Sequence, residues 1–549
     1  MTWPACEPLP SSGSYRVDCW NFAEAVYRLG EGPTATRPAL VHDGASIDYR
    51  ELRRRSLGIA SYLGDLGLEA GAHVGHYLRN SNAYLETFVG AGLAGLSHVN
   101  VNYRYQDEEL VDLCNGLDIE VLVYDAPFAD RVARIKPRLT GTRHFVCVDG
   151  GSEDVELAAL YGHAGAGFTP TTRGDDLVLI ATGGTTGLPK GVLWRHEDIW
   201  RKQNVSTGVA MAPLAIAEHP ASLAEHVANV ARLPQAAPFL CLSPLMHGAG
   251  FLMAIMLLAQ GVPVVTLSGE RFDPQRTVEA IAAQGIGMLV LVGDAFALPL
   301  LEVLDRRPEE ALLASLKVLV SSGASLSNAC RDGLLKHQPE LVVIDSLGSS
   351  ETSGYAVCTP ESGVFQPQGT TRVLDDELQE VEPGSDTIGM VYAGGHLPQG
   401  YYNAPEKTAE TFITLDGQRL VRTGDRCTVR GDGMLQLLGR DSTVVNSGGE
   451  KVYTVEVERV LLEHPAVDDV VVVGLPHPRF GKQVTAIVQT APQAGLDVEA
   501  LQAHARERLA DYKVPRKIYG IDVLCRAANG KPDYPRVMAY AESRFLAEG

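Results

Sequence analysis

Ala181-Thr182-Gly183-Gly184-Thr185-Thr186-Gly187-Leu188-Pro189-Lys190-Gly191 is the stretch on which the reading of this chain turns. The apolar run before it, residues 177–181, has the character of a buried strand. Beyond Ala181, glycines, threonines and a proline disfavour helix and strand alike, which predicts a loop. Glycines without a Cβ let backbone N–H groups close around an anion, threonine hydroxyls add donors and Lys190 adds charge. A phosphate-gripping loop and a plain solvated turn both fit these residues. A Walker A motif does not, because it needs Gly-Lys followed by Ser or Thr, whereas Pro189 precedes Lys190 and Gly191 follows it.

The rest of the chain narrows the setting. A length of 549 residues predicts two to four domains, and 45% hydrophobic content predicts a large folded core. With 47 Lys plus Arg against 67 Asp plus Glu, the net charge is −20, which argues against duplex nucleic acid as a partner. It leaves small anions open, since a few local cations suffice for them. The nine cysteines are scattered without Cys-x-x-Cys or zinc spacing, as expected of small core residues in a reducing cytoplasm. The N-terminus lacks a basic stretch followed by an apolar one, and no apolar run is long enough to span a bilayer, so neither a signal peptide nor a transmembrane segment is expected.

Periodicity predicts helices over residues 21–29, 49–66 and 81–93, with strands at 38–41, 46–49 and 72–78, an alternation typical of α/β layers. Residues 203–237 are Ala-rich and read as helical. Buried runs at 239–243, 262–267, 288–292, 318–321 and 341–345 suit a parallel sheet with ligands at its C-terminal edge. Two short runs, 427–429 and 434–438, flank Arg430-Gly-Asp-Gly433 and predict a hairpin. Residues 455–464 and 497–510 read as helices and 467–473 and 484–490 as strands, a small α+β region at the end of the chain.

Several segments together resemble, in order and across roughly residues 20–540, the signatures of the adenylate-forming superfamily of acyl-CoA synthetases, adenylation domains and luciferases. These are the Gly-rich stretch, with Gly183 where the family usually has Ser; Pro244-Leu-Met-His247-Gly-Ala-Gly250; Ser322-Gly323-Ala324; Asp345-Ser346-Leu347-Gly348-Ser349-Ser350-Glu351; Gly400-Tyr-Tyr-Asn403; Arg422-Thr-Gly-Asp425; Gly439-Arg440-Asp441-Ser442; Gly448-Gly449; and Asn529-Gly530-Lys531. Asn80 and Asn100 also stand near family positions and read as structural. The resemblance implies an α/β fold: a large N-terminal domain of layered sheets and helices with a β-subdomain over residues 1–439, and a small mobile α+β domain over 440–549 that pivots near Ser442.

The resemblance also implies site roles. Thr182, Gly183, Gly184, Thr185, Thr186, Gly187 and Lys190 would hold the ATP phosphates, with Thr186 part of the catalytic set. Gly323, Ala324, Asp345, Ser346, Leu347, Gly348, Ser349 and Ser350 would line the nucleotide. Asp425 and Arg440 would hold the ribose, and Gly448 and Gly449 would meet the pantetheine of CoA. Glu351 would bind Mg²⁺, a role its hard carboxylate oxygen suits. Lys531 would neutralise the repulsion between substrate carboxylate and α-phosphate. His247 would border the acyl pocket, gating substrate without moving a proton. Leu347 stands where the family has an aromatic residue, Ser350 where it has Thr, Ser442 where Asp or Lys is commoner, and Arg526-Ala-Ala528 where Pro-x-Thr is usual.

The implied activity is AMP-forming acyl-CoA synthesis through an acyl-adenylate, with ATP, Mg²⁺ and CoA, in a cytoplasmic enzyme compatible with a homodimer. The Trp194-Arg195, Gly-Ser-Ser-Glu351 and Arg-Asp-Ser442 variants are similar to actinobacterial ligases for steroid side-chain or diterpenoid acids; medium- or long-chain fatty acids are also open. Two other readings stand beside it: adenylation followed by loading of a carrier protein, and a non-catalytic protein that binds a nucleotide or acyl ligand.

Overall fold

The helix Asn82–Leu93 is buried along almost its whole length, and around it the first part of the molecule is built. It packs on the helix Tyr49–Asp65, where Gly90 permits close approach: a Cβ there would lie 2.6 Å from Ile59. The computed structural model describes residues 20–547 apart from 164–167, 185–186, 204–219, 325, 360–362, 441–443, 448–449, 478–480, 493, 510, 525 and 527–531. The chain divides into two compact units, one of residues 1–237, 245–247 and 251–268, the other of residues 238–244, 248–250 and 269–549.

In the first unit a twisted sheet runs in the spatial order Gly187–Arg195, Leu177–Gly184, Ser97–Asn100, His73–Tyr77, Ile119–Asp125, His144–Val148, Val155–Glu156. Its strands are parallel except Gly187–Arg195, which pairs antiparallel with Leu177–Gly184. His73–Tyr77 and Ser97–Asn100 are buried at every residue, as strands covered on both faces must be. A smaller group pairs Pro38–His42 antiparallel with Ala45–Asp48 and parallel with Val264–Thr266. Of the Ala-rich stretch expected to be helical, Leu223–Arg232 is a helix, capped by Ser222 Oγ accepting from the Glu225 N–H; residues 204–219 lie outside the described residues.

The second unit opens with parallel strands Phe239–Cys241, Met288–Leu291, Val318–Ser322 and Val342–Leu347, as the buried runs predict. Beyond Val342–Leu347 the pairing turns antiparallel, through Ala356–Cys358, Val364–Pro367, Leu435–Arg440, Gln418–Val429, Gly389–Ala393 and Arg372–Leu374. The predicted hairpin around Arg430–Gly433 is present and longer than expected.

Residues 444–546 carry their own sheet, in the order Glu450–Tyr453, Val444–Ser447, Gly481–Thr490, Val467–His477, with Lys517–Gly520 parallel to Gly481–Thr490. Helices Thr454–Leu462 and Val498–Arg506 contribute Val457, Leu461 and Leu501 to one aliphatic core, and Tyr534–Leu546 contributes Val537 and Ala541 to another. The α+β character expected of this region is what the structure has.

Candidate active site

The Gly-rich stretch is where the structure departs most from expectation. The strand does not stop at Ala181 but continues through Gly184, and a second strand resumes at Gly187. Thr182 faces Lys190 and Gly184 faces Gly187 across an antiparallel pair, so the segment is the end of a β-hairpin. Thr182 Oγ1 donates to the Lys190 carbonyl at 3.4 Å. Propensity lost to pairing: the run Val192–Arg195 supplies a partner strand, and cross-strand hydrogen bonds outweigh the weak strand preference of glycine. Thr185 and Thr186 lie outside the described residues.

Two asparagines anchor this hairpin and the His247 segment in the first unit. Asn100 Oδ1 accepts the Ala181 N–H at 2.7 Å, while its Nδ2 donates to the Met246 carbonyl. Asn80 Oδ1 accepts the Leu245 N–H at 2.7 Å. His247 itself caps the helix Gly248–Ala259 with extended backbone and is half-buried. The hairpin and the His247 segment are therefore tied through one side chain, Asn100.

In the second unit Gly323, Asp345 and Gly348 gather at the C-terminal ends of the parallel strands Val318–Ser322 and Val342–Leu347, the edge at which open α/β sheets bind ligands. Gly323, directly after Val318–Ser322, has φ 95°, a conformation open to glycine and costly for other residues. Gly348 follows Val342–Leu347, and a Cβ on it would lie 2.8 Å from the Gly354 backbone nitrogen. The turn between them is closed by Ser349 and Thr352: the Ser349 N–H donates to Thr352 Oγ1 at 2.8 Å and the Glu351 N–H to Ser349 Oγ at 3.3 Å. This turn sets Glu351, half-buried, with its Oε1 accepting from Tyr401 Oη at 2.8 Å.

Asp345 is buried on the strand, and burial pushes its carboxyl up to about 6, opposed by hydrogen bonds from Ser321 and the Leu326 N–H and by the charge of Arg331. Asp425 is buried as well. Its Oδ2 accepts from Tyr355 Oη, and Tyr355 in turn donates its N–H to the Leu347 carbonyl at 3.0 Å. Asp425 stands opposite Arg440 in the sheet register, so the residues expected at the ribose are neighbours. Ser346, Leu347 and Ser350 are half-buried around the same strand end. Ser442, Gly448, Gly449 and Lys531 lie outside the described residues.

A cation would find one protein ligand here. Among the described residues there is no group of three His, Cys, Asp or Glu able to hold a metal. Glu351 offers one hard carboxylate, which fits Mg²⁺, an ion that keeps waters and completes its shell with substrate phosphates. It does not fit zinc, which wants a dedicated set of nitrogen or sulfur ligands.

Sequence reasoning missed Tyr355 and Tyr401 as parts of the site. Tyr401 was read within a structural signature, and no local pattern marks either phenol as a carboxylate's partner.

Comparison with known proteins agrees with this architecture. Residues 31–402 match the AMP-binding enzyme family and residues 456–531 match the AMP-binding enzyme C-terminal domain. This chain belongs to the AMP-binding enzyme family. It is 37% identical to a medium/long-chain-fatty-acid–CoA/3-oxocholest-4-en-26-oate–CoA ligase of Mycolicibacterium smegmatis, over 92% of this chain and 94% of that protein. It is 34% identical to a 3-oxocholest-4-en-26-oate–CoA ligase of Rhodococcus rhodochrous, over 91% of this chain and 92% of that protein. The fold matches the anthranilate CoA ligase AuaEII in complex with anthranoyl-AMP, with a TM-score of 0.81 at 21% identity, over 96% of this chain and 98% of that one. The class is that of ATP-dependent, AMP-forming acyl-CoA ligases. Among the described residues no helix is long and apolar enough to cross a membrane.

Proposed function

We propose that this enzyme joins a bulky hydrophobic carboxylic acid, of the steroid side-chain or medium- to long-chain fatty type, to CoA at the expense of ATP. The observation that carries the choice of acid is end-to-end similarity to ligases named for those acids. A diterpenoid acid belongs to the same chemical class of substrate.

The work of the protein is positioning and charge control, as is usual where phosphoryl groups react. The stretch from Thr182 to Lys190, Thr186 among its residues, grips the phosphates. Gly323, Ala324 and the 345–350 strand end receive the nucleotide, and Asp425 with Arg440 holds the ribose. Glu351 would hold Mg²⁺, which would supply charge to offset that of the phosphates. His247, at the head of its helix, borders the acyl chain. Lys531 brings the substrate carboxylate and α-phosphate together, pyrophosphate leaves and the acyl-adenylate forms. The region 440–549 then turns about Ser442, withdrawing Lys531 and bringing Gly448 and Gly449 to the pantetheine. The CoA thiol attacks the acyl carbon, and AMP departs. Both ATP and CoA are at hand in the cytoplasm, the compartment this reading expects; sedimentation tests the homodimer.

The deciding experiment is mass spectrometry of products from ATP, Mg²⁺ and CoA over acids from acetate through fatty and aryl acids to steroid and diterpenoid acids. The expected product is a steroid or fatty acyl-CoA. Adenylate without thioester would move the acceptor to a carrier protein, and ATP binding with no adenylate from any acid would leave a binding protein. Lys531→Ala should abolish adenylation while sparing thioester formation from supplied acyl-adenylate; equal loss of both half-reactions defeats that role.

A further inference from the structure

Glu351 does not stand alone. Its Oε1 accepts a hydrogen bond from Tyr401 Oη at 2.8 Å across fifty residues of chain, and Tyr401 is 5% exposed. Three features fix that phenol. The Tyr401 ring meets Phe412 edge-on at 5.8 Å between centroids. The Tyr401 N–H donates to Thr408 Oγ1 at 2.9 Å. Gly400 before it has φ 147°, and a Cβ there would lie 2.4 Å from the Thr408 side chain, so only glycine lets the backbone sit this close. The phenol thus reaches Glu351 from a rigid support.

A carboxylate offers two oxygens. Among the described residues Glu351 Oε1 has a partner and Oε2 has none. The same chemistry recurs at Asp425, whose Oδ2 accepts from buried Tyr355. A loop carboxylate left to rotate would have to be ordered each time a cation bound. One whose first oxygen is held by a phenol has that ordering done in advance.

We propose that Tyr401 is a positioning residue for the cation carboxylate: its phenol holds Glu351 Oε1, so that Oε2 is presented to the magnesium ion that accompanies ATP. This rests on the reading of Glu351 as the cation ligand. A purely structural tie between the Glu351 turn and the Tyr401 strand would look similar in geometry, and the test separates the two.

The probe is Mn²⁺, followed by water-proton relaxation, with the full-length enzyme and α,β-methylene ATP, so that no turnover is involved. Tyr401→Phe keeps the ring and its contact with Phe412 and deletes only the hydroxyl. It should weaken Mn²⁺ binding by about tenfold, as loss of a group that orients a metal ligand commonly does. Glu351→Gln should weaken it at least as much, and the double variant should be no worse than Glu351→Gln, because the phenol acts only through that carboxylate. Wild-type Mn²⁺ affinity in Tyr401→Phe, with Glu351→Gln impaired, overturns the inference and leaves the Glu351 reading standing. Wild-type affinity in Glu351→Gln overturns both. An equal loss of analogue affinity by Tyr401→Phe in EDTA would assign the phenol to structure and also overturn it.

Discussion

The interior of the N-terminal unit is aromatic and rich in histidine, whereas residues 444–546 close over valine and leucine. His76, His98, His196 and His226 are all buried in the former. His98 stacks on Phe251 at 4.5 Å, His196 lies parallel to Phe88 at 5.8 Å and His226 meets Trp200 edge-on at 5.0 Å. His76 Nδ1 and His98 Nδ1 are 2.9 Å apart, so one must donate and the other accept, which two imidazolium ions could not do. Burial pushes His76 and His226 down to about 4 and His196 to about 3, and holds His98 well below the usual range. The cores of residues 444–546 contain no histidine. The notable ionisable group there is Glu458, whose carboxyl accepts the Val472 N–H at 2.7 Å and is pushed up to about 7 by burial. The buried histidines of the N-terminal unit resist protonation and outnumber its buried acids that favour it, Asp125 and Asp176, each pushed up to about 6, and Glu86; in the other region Glu458 favours protonation. They should answer to pH with opposite sign.

The largest effect expected is acid unfolding of the N-terminal unit. The unfolded chain takes up protons on histidine near pH ~6.5, while the folded unit does so only near 4 or below. Stability is whole above the unfolded value and is lost as pH falls through that window. At about 1.4 kcal/mol per pKa unit, the histidines together weaken the unit by several kcal/mol. Of the four tryptophans in the sequence, Trp20, Trp194 and Trp200 are described, and all three are buried in this unit. Their emission should shift to the red between pH ~6 and ~4, with amide protection in Gly481–Thr490 retained at pH ~4.5. Unchanged tryptophan emission at pH ~4 would break the contrast.

A core deletion sharpens it from the other side. Leu461 is 0% exposed in the aliphatic core, and Leu461→Ala should cost about 2–5 kcal/mol there. Amide exchange at Gly481–Thr490 should accelerate while the tryptophan transition in urea stays in place. Coincident movement of both signals would mean that the two regions unfold as one.

Glu458→Gln probes the sign directly. With its folded pKa raised, Glu458 contributes stability that is fully present below the unfolded value and lost as pH rises through about 7. The variant should remove that decline in protection at Gly481–Thr490 across pH ~5 to ~8 and leave the acid transition of the N-terminal unit alone. The smallest effects should come from helix caps. Ser222 Oγ accepts the Glu225 N–H and Asp497 Oδ1 the Ala500 N–H. Replacing either by alanine should cost about 1 kcal/mol, each registered only by the probe of its own region.

Much of this was legible beforehand, and the residues show why. The apolar runs at Met288–Leu291, Val318–Ser322 and Val342–Leu347 announce strands by their length and β-branched content, and Met288–Leu291 is buried at every residue as a strand covered on both faces must be. The helices predicted over 49–66 and 497–510 are present, and the structure adds their caps, Asp48 and Asp497, each accepting an N–H three residues on. The Gly-rich hairpin was not legible as strand, since its pairing is with the residues that follow and glycine itself carries no strand preference. The phenols were not legible either: Tyr401 and Glu351 are 50 residues apart, and Tyr355 and Asp425 are 70 apart.

The sequence by itself determined the layering, the family and the order of the motifs. Those depend on side-chain type and on spacing within one element. Only the tertiary structure decided that Thr182 and Lys190 face each other across a hairpin, that Asn100 ties it to the His247 segment, and that Glu351 and Asp425 each have a tyrosine holding one oxygen. Such contacts form when distant strands come into register, and a hydrogen bond between groups so far apart leaves no local pattern in the chain.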